Sequence, residues 1–249
     1  MARAVGRRVP RRPFRLLMPV WVWRPAFRFW LSVIGARTDK RSAVRELLVT
    51  YDDVYRALDR AAIAYDGGVH VKHRLTAYHD FFVERVRYGE TVLDIGSGKG
   101  ELAFDLVTSA GARVVGLDHD PSHLAFARAR YVHERLEFRE GDVLESLPAG
   151  HFDVVVLSNV LEHLGPRVAF LRRVRESATP RSVLVRVPVY ARDWTVPLKA
   201  EVGLRAYWDP DHEIEYDERG LRAELGEAGL VVTELVHAWG EMWAVAEPR

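Results

Sequence analysis

The chain of 249 residues has no cysteine. That excludes disulfides, thiolate metal sites and a cysteine nucleophile, and it suits a reducing, cytoplasmic compartment. Long apolar runs are missing too. The stretch "PVWVWRPAFRFWLSVIGA" is broken by Arg24, Pro25 and Arg28 and is too interrupted to span a bilayer. Acid is scarce at one end. Residues 1–45 hold eleven arginines and Lys40 against the single acid Asp39, so a total charge of +1 leaves −10 for the remainder. A basic arm on an acidic body points to an anionic partner for the arm. "RRPF" at Arg11 is a weak match to a twin-arginine leader, but Arg24 and Arg28 interrupt the apolar part and no small-residue cleavage site follows, so export is not expected. Met18 offers an alternative start, which leaves open whether residues 1–17 belong to the natural protein.

Three tryptophans, Trp21, Trp23 and Trp30, sit in this arm. Beyond Pro25, residues Phe27, Trp30, Leu31 and Ile34 recur at helical spacing and share a face. Residues 1–38 therefore read as a basic, Trp-rich amphipathic arm. Residues 14–35 are expected to contact the inner face of a membrane peripherally. Docking on the protein's own surface is the alternative, and nucleic acid is the less favoured partner. Residues 39–89 read as a helical cap or lid, with one long amphipathic helix from Arg41 to Tyr65 and a second over Thr76–Arg87.

From residue 90 to 249 short apolar strands alternate with amphipathic helices, ending in two strands joined only by "WG". That alternation predicts an α/β domain: a mainly parallel sheet, covered on both faces and closed by an antiparallel hairpin. Between "SVLVRVPV" and the helix at Glu218–Ala228 runs an irregular stretch, Tyr190 to Tyr216, too long to be idle in a compact domain.

The first strand of this domain leads into "VLDIGSGKGEL". Glycines there allow a tight turn against a helix N-terminus, the usual seat of a phosphate. Asp94 and Glu101 would set negative charge beside that phosphate, and Gly96-x-Gly98-x-Gly100 lacks the dinucleotide spacing. A cationic, phosphate-free nucleoside fits better. In open parallel sheets ligands lie beyond the carboxyl ends of the strands. Asp94, Asp118, Asp142 and the pair Ser158-Asn159 all fall at such ends.

"VLDIGSGKG", "VVGLDHDP", "EGDV" and "FDVVVLSNVLEHL", in that order, resemble the motifs of class I S-adenosylmethionine (SAM)-dependent methyltransferases. The resemblance implies a seven-stranded Rossmann-like sheet with an antiparallel last strand, and SAM as cofactor. Carried over, Asp94 with Gly96, Ser97, Gly98 and Gly100 would hold the methionine end. Asp118 would accept the ribose hydroxyls, and His119, a departure from the aliphatic residue common there, would stack on adenine instead. Asp142 would accept the adenine amino group, Val143 would lie against the ring, and Ser158 and Asn159 would line the pocket near the sulfonium. In some relatives a Glu-x-x-Glu-His stretch after the fourth strand binds a divalent metal. Here Asn159 replaces the first Glu, and no metal is expected.

A hydroxyl acceptor needs its proton removed as it attacks. His163 and, in the irregular stretch, His212 are the candidate catalytic groups. His73 and Arg74 of "GGVHVKHR", with Tyr190, Arg192, Trp194 and Trp208, are the candidate acceptor contacts, since aromatics stack on sugar faces while polar groups bond the hydroxyls. The "KHR" lid with "RDW…PLK…DPDHEIEY" resembles bacterial methyltransferases associated with surface polysaccharide or glycolipid assembly. O-methylation of a sugar hydroxyl on a surface glycan or lipid-linked saccharide is the expectation. RNA or protein methylation using the arm, or a non-catalytic SAM-binding scaffold, are the alternatives. Oligomeric state is not legible.

Overall fold

The computed structural model describes residues 20–207 and 209–249. Residues 1–19, which include much of the basic arm, and Trp208 lie outside the described residues. By contacts the chain falls into two units, Met1–Tyr55 and Arg56–Arg249. In the first, α1 (Val20–Gly35) is followed by the start of α2 (Lys40–Tyr65). Asp39 accepts from the Arg41 N–H and the Ser42 hydroxyl, which opens α2 in the manner of an N-cap.

The second unit carries the sheet. Its strands are β1 (Thr91–Ile95), β2 (Arg113–Asp118), β3 (Leu136–Glu140), β4 (Val154–Ser158), β5 (Ser182–Pro188), β6 (Leu230–Ala238) and β7 (Glu241–Pro248). They lie in the order β3-β2-β1-β4-β5-β7-β6, parallel except that β7 runs antiparallel to both neighbours. This is the architecture the sequence predicts. The central strands read as unbroken apolar runs because helices cover both faces. Leu93, Ile95, Val155 and Leu157 pack under α7 (Arg167–Ala178) and α9 (Glu218–Glu227). Val92, Val114, Val154 and Val156 pack under α5 (Glu101–Thr108), α6 (Pro121–Arg130) and Phe82.

Two expectations need correction. Within the single helix expected over Thr76–Arg87 the structure has the short α4 (Asp80–Val83), and a separate short helix, α3 (Lys72–Thr76), ends where that helix was to begin. Ala77 between them is left-handed, at φ 49°, which ends the first turn before the second begins. The break lets His79 bond Asp105 of α5 (2.6 Å) while Phe82 enters the core. The stretch from Tyr190 to Tyr216 is not wholly irregular either, for it contains α8 (Thr195–Glu201).

Candidate active site

β1 and β2 run in register, Asp94 opposite Gly116 and Ile95 opposite Leu117, so both chains end at one level. Beyond β1 the chain turns over Gly96, Gly98 and Gly100, all at positive φ. Two of these positions are also crowded. A side chain at Gly96 would strike Val160 at 2.7 Å, and one at Gly100 would meet Phe138 at 2.6 Å. The tight turn brings the Gly98 N–H onto Asp118 Oδ2 (2.7 Å), while Asp118 Oδ1 accepts from the Asp120 N–H (2.9 Å). Asp118 is thus fixed by backbone donors before any ligand arrives.

Asp94 is 1% exposed, and its Oδ2 has no partner among the described residues. Burial, with the negative charge of Asp118 adding to it, pushes its pKa up to about 8. Ser97 Oγ and Asn159 Oδ1 are buried and equally without partners there. Asn159 is held at φ 57° as its N–H donates to the Arg186 carbonyl (2.9 Å). A cluster of unsatisfied buried acceptors is costly unless a ligand supplies donors. An ammonium-bearing nucleoside would supply them.

These groups line a cleft of about 240 Å³ with Gly96, Gly98, Lys99, Ser158 and the lid residues Lys72, His73, Tyr78 and His79. His73, read from sequence as an acceptor contact, lines this cleft beside the glycine turn. Burial, with His79, Lys72 and Arg186 nearby, drives its pKa down to about 3, so it is neutral. Burial raises Tyr78 to about 12. Arg74 instead pairs with Asp66 (3.0 Å) and lines a neighbouring cavity of about 360 Å³. His119 is exposed, Asp142 Oδ1 accepts from the Leu144 N–H (2.7 Å), and Val143 packs towards the core.

The reading from sequence missed Arg186. It is the one charge in the apolar run of β5, 5% exposed, making two 2.7 Å bonds to Glu241 of β7 and lying 3.8 Å over the Tyr78 ring. A charge inside a wholly buried strand was the available signal.

After β4 a 3-10 turn, Leu161–His163, presents the second group. The Glu162 carbonyl accepts from the Glu213 N–H (2.7 Å), which pins the loop before α9 against it. His212 of that loop meets His163 edge-on at 4.8 Å, so the two candidate catalytic histidines do come together. His163 Nδ1 lies 3.1 Å from Asp211, and His212 Nδ1 3.2 Å from Glu215. Burial lowers the pKa of His163. Burial opposes charge on His212, but the Glu215 bond and the Glu162 charge outweigh it and raise that pKa. Glu162 is fully buried, both its oxygens lack partners among the described residues, and desolvation raises its pKa to about 8. One ligand atom each from Glu162, His163 and His212 lie within 4.8 Å of one another. An unsatisfied carboxylate beside two imidazoles fits a divalent cation. From sequence no metal is expected, because Asn159 leaves the local motif one ligand short, whereas the fold supplies His212 from a distant loop.

The remaining candidates diverge. Arg192 pairs with the fully buried Glu215 and bonds the Val189 carbonyl (3.2 Å), bracing the loop from inside. Tyr190 faces Tyr207 edge-on at 6.4 Å, and Trp194 is exposed ahead of α8.

Residues 93–184 match the family described as "Methyltransferase domain". A ubiquinone biosynthesis O-methyltransferase of Azorhizobium caulinodans is 34% identical over 170 residues, 63% of this chain. The match spans 65% of that relative, slightly less than two thirds of its length. Among solved structures, CalO1, a methyltransferase in calicheamicin biosynthesis in its SAH-bound form, is similar at TM-score 0.57. It is 25% identical, over 79% of this chain and 60% of that one. TnmH is similar at TM-score 0.56 and 20% identity, over 92% and 69%. The fold is the Rossmann-like methyltransferase fold.

Proposed function

We propose that the protein is a SAM-dependent O-methyltransferase. The observation that carries this reading is the convergence of Asp94, Ser97 and Asn159, each with a buried oxygen that has no partner among the described residues, on a glycine-walled cleft at the strand ends. Asp94 and the Gly96–Gly100 turn hold the methionine end, and Asp118, set by the Gly98 N–H, accepts the ribose hydroxyls. Asp142, Val143 and His119 complete the adenine side. The lid residues His73 and Tyr78 shield the cleft from water. When bound, SAM supplies a methyl group on an already activated leaving group. What remains for the chain is alignment, water exclusion and removal of the acceptor proton.

Glu162, His163 and His212 would hold a divalent cation, which lowers the pKa of an acceptor hydroxyl. Burial disfavours the charged form of His163, which suits a ligand. The acceptor read from the Tyr190–Tyr207 loop is a sugar hydroxyl of a surface glycan or lipid-linked saccharide, methylated at the inner face of a membrane. A second reading, a hydroxylated ring on a prenyl tail, is favoured by the name of the Azorhizobium relative.

The test incubates purified protein with SAM, a divalent cation and either lipid-linked saccharides or prenylated phenols. Formation of S-adenosylhomocysteine with a methyl-sized mass gain on one acceptor class is expected. Failure of S-adenosylhomocysteine to bind in calorimetry would overturn the reading at its root.

A further inference from the structure

α1 is apolar on more sides than one interface can use. Phe27, Leu31 and Ile34 form one face, and Ile34 is 1% exposed. Opposite them runs the row Trp21, Pro25, Phe29 and Val33, spaced four apart, so that one side of the helix carries all four. Every member is exposed, Trp21 by 77% and Phe29 by 72%. On one flank Arg24, Arg28 and Ser32 follow the same spacing, and on the other Val22, Ala26 and Trp30. The helix contains no acid.

We infer that the outward row of α1 is a docking face for an anionic phospholipid surface. Large apolar side chains held in water are unfavourable, and a row of this size on a monomer marks a contact. Charge selects the occupant. Up to Thr38 the sequence has nine arginines and no acidic residue, a charge that complements lipid phosphates and repels a second copy of itself. Tryptophan flanked by arginine suits the headgroup boundary, where the ring enters the acyl edge while the guanidinium stays with phosphate. Among the described residues no helix is long and apolar enough to cross a membrane, so α1 would lie in the interface plane. Binding would concentrate the protein where a lipid-borne acceptor resides.

The test uses the full chain in co-sedimentation with phosphatidylcholine vesicles and with phosphatidylcholine–phosphatidylglycerol vesicles. Binding to the anionic vesicles, weakened by salt, is expected. The pair Trp21→Ser and Phe29→Ser keeps every arginine and should reduce partitioning at least tenfold, with S-adenosylhomocysteine affinity unchanged as the check on folding. Arg24→Glu with Arg28→Glu should remove the preference for anionic lipid. Undiminished binding by the serine variant would overturn the proposal, because basic charge alone would then explain it. A dimer in solution that the serine pair dissociates would overturn it in favour of self-association. The anchor can fail without touching the methyl-transfer reading, which is tested by ligand binding.

Discussion

Asp94 has almost no contact with water, and its folded pKa of about 8 lies well above its usual 3.8. The native state therefore holds a proton that the unfolded chain releases. This contribution to stability is complete below pH 3.8 and is lost as pH rises towards 8. A ligand ammonium reverses the preference, so cofactor binding at neutral pH should release a proton and tighten as pH rises. Calorimetry in buffers of different ionisation enthalpy reads that proton directly, and Asp94→Asn should abolish it. Asp118 makes the complementary case. Asp118→Ala removes the proposed ribose acceptor and the brace on Gly98, so S-adenosylhomocysteine affinity should fall roughly tenfold or more, about 1.4 kcal/mol. Both acids were legible in sequence as carboxylates at strand ends. The proton on Asp94 was not, since it follows from burial beside Asp118.

At the scale of elements, β5 and β7 are joined by the pair of buried Arg186 and half-buried Glu241 as well as by their ladder. Removing Arg186 leaves the Glu241 charge half-buried without its partner. Arg186→Leu should lower unfolding free energy by about 3 kcal/mol, and adding Glu241→Leu should recover much of the loss. Denaturant titration of the three variants checks this. Strand periodicity placed every strand of the sheet, because each central strand has to be apolar on both faces. Helix periodicity failed at Thr76–Arg87, where Phe81, Phe82 and Val86 had the correct spacing. There the contacts of His79 with Asp105 and of Tyr78 with Arg186 favour a broken chain, and neither partner is local in sequence.

At the scale of the whole molecule, the cofactor cleft and the Glu162–His163–His212 cluster draw on elements far apart in the chain. Chelation should abolish turnover while leaving S-adenosylhomocysteine affinity nearly intact, and His212→Ala should do the same. Turnover assays beside calorimetry separate the two outcomes. Turnover indifferent to both would exclude the cation. The sequence by itself determined the α/β alternation, the glycine turn and the carboxylates at the strand ends, because these depend on periodicity and on short-range backbone geometry. Tertiary structure alone decided which side chains became partners. It brought His212 to His163, sent Arg74 to Asp66, placed Arg192 on Glu215 and buried Arg186 under Tyr78. The physical reason is that desolvation and pairing act through space, so a charge takes its role from what the folded chain lays beside it.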